Sequence, residues 1–403
     1  MAFLFILFLI FFYTHFFAYS QWNNTLAGQS SYFIILLLIL YVLKNQNHIY
    51  KNQLFFAPYI KYLIVIPLIS LIPSYLIYNQ SPIDSFKAIS PHFLWLFYYY
   101  CHIKKIKEKD IIKAFLSAAL FIITIQIIQQ FTTPHFGLSY NKVGDIYVDI
   151  RNGIQRYRVD FNGLFTFFIL YYYWELMQKQ RKFIYLCIFT LMIISIYLTL
   201  TRQLIFALIL IVFLNIIFNN NTKAKRITST TLLLIFIILF YFYSDLLFGS
   251  FINMTIEQSG NEDIRILAAE YYTQRLIENP ITFLFGNGTP AGNSTYASLT
   301  TYEQQELGFH TSDVGFIGII YKYGIFYAAI FYLIMYRIYL KYRKRIPTFI
   351  LMYSCTFLIV SIMIYPIYSN ISYIVWSCIF YITDKKIQNN ERISSNYNRN
   401  TCI

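Results

Sequence analysis

Apolar residues in this chain run in long unbroken stretches, not in the alternating or one-faced patterns of a soluble fold. A helix needs about 20 apolar residues to cross ~30 Å of hydrocarbon at ~1.5 Å per residue. Such stretches lie near residues 2–20, 30–43, 59–78, 88–102, 111–131, 161–178, 183–200, 203–218, 229–248, 324–340, 347–365 and 367–382. They predict an all-α integral membrane protein of about twelve transmembrane helices. The shortest stretch, 30–43, and the last read equally well as re-entrant or tilted segments.

The connections between these stretches alternate between basic and non-basic. Basic ones hold Lys44, Lys51 and Lys61; Lys104, Lys105, Lys107, Lys109 and Lys113; Lys179, Arg181 and Lys182; Lys223, Lys225 and Arg226; and Arg337, Lys341, Arg343, Lys344 and Arg345. With Lys385, Lys386, Arg392 and Arg399 of the tail they contain 23 of the 32 Lys and Arg residues. Basic connections face the cytoplasm, which places both termini inside. A missed or invented span would break the alternation. Two outer segments are long enough for chemistry, 132–160 and a large loop over 249–323 that includes short helices. Residues 383–403 read as a disordered cytoplasmic tail.

Composition agrees. Hydrophobic residues make up 58% and charged residues 12%, against about 25% charged in soluble domains. The net charge of +14 belongs mainly to the inner face, where it meets anionic membrane lipids; no aromatic-basic module points to nucleic acid. Residues 2–20 lack the basic start of a signal peptide, and Ala18-Tyr19-Ser20 is a poor cleavage site, so this stretch is read as the first span. None of the five cysteines falls in an outer loop, which argues against a disulfide framework or metal site. No Walker A sequence, Gly-rich dinucleotide turn or His-Glu-x-x-His helix is present. The substrate is therefore expected to arrive already activated, with no cofactor and no metal.

Against this background Arg158, Arg202, Arg265 and Arg275 are conspicuous, because they fall on the outer face, where the loop-charge rule disfavours them. An arginine fork is suited to an anion held there. Asp263 to Glu278 reads as an amphipathic helix with Ile264, Leu267, Ala268, Tyr271 and Leu276 at helical spacing. Ten residues are about 1000° of helical rotation, so Arg265 and Arg275 come within roughly 80° of each other and can converge. Asn279-Pro280 ends the helix, and Phe283 to Gly288 follows as an apolar turn with two glycines. Next come His310, Thr311, Ser312 and Asp313, where Ser312 or Asp313 caps a short helix. Lys322 would sit deep in lipid on a straight span, so a short helix over 313–323, a break at Gly324 and a span after it are expected. Arg202 lies in the very short turn Thr199-Leu200-Thr201-Arg202-Gln203.

Four local patterns occur in order: Arg156-Tyr157-Arg158 with Asn162-Gly163; Thr201-Arg202; Arg265 followed by Gly286-Asn287-Gly288; and His310, Asp313 and Gly324 leading into a span. With the Arg275 to Gly286 spacing they make residues 111–340 resemble the bacterial O-antigen polymerase and O-antigen ligase superfamily. Asn162-Gly163 stands where the family has Asn-Pro, which leaves open whether Arg156 or Arg158 is the family's residue. The resemblance implies a bacterial inner-membrane, multi-pass, metal-independent glycosyltransferase. Its donor is an oligosaccharide linked to undecaprenyl pyrophosphate, used on the outer membrane face. Arg156 or Arg158, Arg202, Arg265 and Arg275 would bind the pyrophosphate. His310 would be the general base, with Asp313 orienting it or holding the helix start. A flippase and a chain-length regulator are the expected partners.

Polymerase is preferred over ligase, because ligases keep a closer match around the first arginine cluster and the histidine. Of other classes, a flippase or transporter would show internal repeats and polar broken helices at mid-membrane, whereas the polar residues here gather in the outer loops. A metal-dependent lipid-phosphate-sugar transferase would want carboxylates in the first outer loop, and Gln21 to Gly28 has none.

Overall fold

A computed structural model describes residues 1–14, 21–51, 54–131, 148–151, 154–157, 163–199, 201–219, 264–364 and 369–400. Its helices are α1 (Ala2–Tyr13), α2 (Gln21–Lys44), α3 (Gln46–Lys51), α4 (Ala57–Ile69), α5 (Leu71–Tyr78), α6 (Pro82–Ile89), α7 (Phe97–Ile103), α8 (Glu108–Phe131), α9 (Leu164–Lys179), α10 (Phe183–Leu198) and α11 (Arg202–Asn219). After the large loop begins they continue with α12 (Ile264–Glu278), α13 (Pro280–Phe285), α14 (Thr295–Gln305), α15 (Gly315–Tyr336), α16 (Thr348–Val360) and α17 (Asn370–Asn400).

Among the described residues, three helical stretches are long and apolar enough to cross a membrane: Ala57–Tyr78, Glu108–Ile128 and Thr311–Lys341. Shorter apolar helices accompany them at Ala2–Tyr13, Gly28–Lys44, Phe183–Leu198, Gln203–Asn215 and Thr348–Val360. The expected span at 229–248 lies outside the described residues. Large apolar side chains such as Leu4, Phe8, Leu36 and Phe206 face outward and exposed, as lipid contact demands and water does not.

One continuous apolar core joins the two halves of the chain. Within it α9 packs on α8, α10 and α16, α1 on α8, α4 on α15, and α17 on α7. Aromatic edges supply much of the fit, as where Trp376 meets Phe331, Tyr353 and Phe357. At one end, the fully buried Asp384 of α17 accepts hydrogen bonds from the Tyr98 hydroxyl and the Phe55 amide.

Three features depart from the sequence expectation. The described residues are overwhelmingly helical, as expected, but within the 132–160 loop Val148–Arg151 (β1) and Ile154–Tyr157 (β2) form a short antiparallel hairpin, with Asp149 opposite Arg156. The 88–102 stretch is not one α-helix, because Ser90–Leu96 winds as a 3₁₀ helix with proline in its first turn before α7 begins. The tail expected to be disordered continues α17 as helix to Asn400.

The expected break at Gly324 is present. Inside α15 this residue has φ 81° and ψ 167°, a region open essentially to glycine alone. Gly286 ends α13 in nearly the same conformation, φ 80° and ψ 168°. The two backbones meet there. A Cβ on Gly324 would fall 2.1 Å from the Leu284 carbonyl oxygen, and one on Gly286 would fall 2.3 Å from that of Lys322. The large loop is thereby locked, backbone to backbone, onto the helix break.

Candidate functional site

The Gly286-Asn287-Gly288 turn is held by hydrogen bonds more than by apolar contact. The Asn287 and Gly288 amides donate to the Tyr321 and Lys322 carbonyls at 2.9 and 2.8 Å. The Asn287 side chain donates to Tyr321 O at 3.0 Å and accepts from the Tyr78 hydroxyl at 3.0 Å, while Ser74 Oγ donates to its carbonyl at 2.5 Å. Those carbonyls are free because the helix breaks at Gly324, three and two residues later. Next along, fully buried Gln80 donates to Ser85 Oγ and Thr289 O and accepts from the Ala291 amide and Ser294 Oγ. These contacts seat the whole 279–296 stretch on α4, α5 and α15.

That seating fixes α12, which packs on α15 and the 3₁₀ turn Thr311–Val314. A groove of about 530 Å³ opens between them. Arg265, Ile266, Ala269, Glu270 and Thr273 form one wall, Asp313, Val314 and Ile317 the other, and Ile362 and Met363 close an end. The α12 residues at spacings of three and four explain why one face supplies a continuous wall. A guanidinium and two carboxylates thus border a largely apolar floor, so the lining offers one donor group for an anion, two acceptors for hydroxyl groups and apolar surface.

Other segments reach the same end. Gln203 Nε2 donates to Met363 Sδ at 3.5 Å, which brings the start of α11, and the Arg202 backbone, beside the groove's end. A Cβ on Gly163, where α9 starts, would lie 3.7 Å from Leu204 Cδ1. Stretches near residues 163, 203, 265, 313 and 363 therefore assemble side by side.

The sequence-predicted residues divide as follows. Arg265 and Asp313, 48 positions apart in the chain, share the groove. His310 is exposed and precedes the 3₁₀ turn; its carbonyl accepts from the Asp313 amide at 3.0 Å, but its side chain is not part of the groove lining. Asp313 also accepts from Ser312 Oγ at 3.2 Å. Arg275 turns to different neighbours from Arg265: its guanidinium lies 4.6 Å over the Tyr271 ring. The Arg156 backbone lies in β2, which packs near α8 and α10. Arg158 and the side chains of Arg156 and Arg202 lie outside the described residues.

Sequence reasoning passed over Glu303. It is fully buried, with Tyr271 and Tyr272 hydroxyls donating at 3.1 and 3.4 Å. Burial pushes its carboxyl above the usual carboxylate range, and the Tyr271 hydroxyl, Arg275 and the Tyr272 hydroxyl pull only part of the way back. Burial and the Glu303 charge in turn push the Tyr271 phenol up to about 12. One signal was available: Tyr296 and Glu303 lie seven residues apart, on one face of α14. The chain matches no family model, no curated protein and no solved structure.

Proposed function

We propose that this chain is a membrane glycosyltransferase that joins oligosaccharide repeat units carried on undecaprenyl pyrophosphate: a polymerase of O-antigen or capsular polysaccharide. The observation that carries this reading is the groove at which Arg265 and Asp313 meet, beside the start of α11 and over an apolar floor. A lipid-linked pyrophosphate combines the three properties that such a lining recognises. In this reading the chain crosses a bacterial inner membrane about twelve times with both termini inside, and the groove faces outward.

In the reaction, an acceptor hydroxyl attacks the anomeric carbon of the donor sugar. The bond from that carbon to the pyrophosphate oxygen breaks, undecaprenyl pyrophosphate leaves with the electron pair, and the hydroxyl proton passes to a base. Arg265, with Arg202 and Arg156 or Arg158, opposes the charge growing on the leaving group. His310, one short turn from Asp313, takes the proton.

Purified protein in liposomes, given lipid-linked repeat units alone, should build polymer ladders without nucleotide sugar. Transfer only to lipid A-core would make it a ligase, and movement of the lipid-linked unit without bond formation would make it a flippase. His310→Ala should abolish transfer while leaving donor binding intact. Transfer near the wild-type rate in His310→Ala, with loss in Asp313→Asn, moves the base to Asp313.

A further inference from the structure

We propose that Glu303 and Arg275 are a positioning pair that sets the spacing between the two walls of the groove. One wall is α12, which carries Arg265; the other begins at Thr311, where the chain returns from α14. Glu303 is bonded both to α12 and to Phe309, two residues ahead of that second wall.

Its carboxylate is bound from the α12 side by Tyr271 and Tyr272. The Tyr272 hydroxyl also lies 3.2 Å from the Phe309 carbonyl, and the Phe309 amide donates to the Glu303 carbonyl at 2.7 Å. The Tyr271 and Phe309 rings meet at 5.4 Å. One residue earlier, Gly308 turns at φ +68°, and a Cβ there would fall 2.8 Å from Ile264 Cδ1. The stretch 303–309 is thus stapled to α12 at that helix's first residue and again at its middle, just before the chain delivers Asp313 to the groove. Arg275 stacks on Tyr271, and its charge and that of Glu303 act on each other at longer range, with no direct ion pair among the described residues. Tyr78, Tyr296 and Tyr321 complete the surroundings of this charge pair.

A carboxylate buried without a direct cationic partner is a poor way to gain stability. It is a good way to impose one arrangement, since each donor around it has a fixed direction. Arg275 is then a clamp on α12 and not a ligand of pyrophosphate. The catalytic consequence rests on the polymerase reading; the ordering of 306–314 does not.

The test uses the purified full-length chain in detergent, with Glu303→Gln, Arg275→Lys and Tyr271→Phe variants. Hydrogen exchange at amides 306–314 should quicken about tenfold in Glu303→Gln, as expected for the loss of a charged hydrogen bond, without a lower melting temperature. Tyr271→Phe, which removes one hydroxyl, should act in the same direction and stands in if Glu303→Gln does not fold. In the polymerisation assay kcat should fall about tenfold with donor KM within about twofold, the split expected when orientation and not binding is lost. Inorganic pyrophosphate should inhibit Arg275→Lys as well as wild type but Arg265→Lys more weakly. Unchanged exchange in Glu303→Gln and Tyr271→Phe overturns the pair. So does weakened pyrophosphate inhibition in Arg275→Lys with unchanged exchange. A wild-type chain without transferase activity sinks the polymerase reading, while the exchange measurement still decides the pair.

Discussion

Alanine at Gly324 tests the lock between the large loop and the helix break. Two penalties act at once. The φ of 81° and ψ of 167° lie where a side chain strains the backbone, at about 1–3 kcal/mol. The new Cβ would sit 2.1 Å from the Leu284 oxygen, 2.5 Å from its carbonyl carbon and 2.7 Å from the Phe285 carbonyl carbon. These are backbone atoms, so no side-chain rotation relieves the clash, and such overpacking adds about 1–3 kcal/mol. The expected cost is therefore about 2–6 kcal/mol, a large share of an ordinary domain's stability.

Gly286→Ala meets the same interface from the other side, with Lys322 O at 2.3 Å and Tyr323 Cα at 2.5 Å. Each substitution forces α13 from α15, so the double variant should lose less than the sum of the two. Gly28→Ala is the control. It lies within α2 with nothing within 4 Å of the added Cβ and should be neutral or stabilising by up to about 1 kcal/mol. Thermal unfolding of the purified protein in detergent, with size-exclusion profiles, checks all four. Melting of Gly324→Ala and Gly286→Ala within about 2 °C of wild type would refute the reasoning, because costs of this size move a midpoint by several degrees.

Arg265→Lys keeps the charge but loses the planar fork, so polymer ladders should fall about tenfold or more at equal protein level; full ladders would reduce Arg265 to a surface charge. Gln80→Ala orphans the Ala291 amide and removes the side-chain donor to the Thr289 carbonyl, at about 1–3 kcal/mol per group left unsatisfied, and should lower the melting temperature without altering pyrophosphate inhibition. Glu303 gives a pH signature. Its folded carboxyl is raised by burial above its ordinary value, so the folded chain holds that proton more tightly than the unfolded one. The associated stability is full below the unfolded value and is lost as pH rises through the raised one. Wild type should therefore lose melting temperature relative to Glu303→Gln as pH climbs from the acidic range to neutrality. Parallel curves would contradict this assignment.

What the sequence made legible was local. The helix expected over 263–278 forms at Ile264–Glu278, because its apolar spacing and the Asn279-Pro280 stop are written within a few turns. The break at Gly324 followed from the cost of carrying Lys322 into lipid and from the next residue able to take a positive φ. The hairpin at 148–157 also has a local signal, since Asn152-Gly153 stands between two short β-prone runs, but that signal is weak beside the loop-like polarity of the surrounding 132–160 segment. The 3₁₀ start before α7 was announced by Ser90-Pro91 and overridden by hydropathy, which counts apolar residues and is blind to how they wind. Glu303 was hidden for a different reason. Its seven-residue spacing from Tyr296 is a weak signal on a surface-like helix; the tertiary approach of Tyr271 and Tyr272 is what defines it.

Gly286-Asn287-Gly288 shows how a short pattern can accompany a function without touching the chemistry. Its glycines let α13 lie against α15, and its asparagine satisfies the groups that the Gly324 break exposes. α12 ends directly before Asn279, whose side chain caps α13 by accepting from the Ile281 amide. The direction in which Arg265 enters the groove is thus set by three backbone positions about twenty residues away from it. In such an arrangement substitutions at the glycines and at Arg265 should both end polymerisation, and only the glycine variants should also unfold. That separation distinguishes a residue that meets the substrate from residues that build the place where it is met.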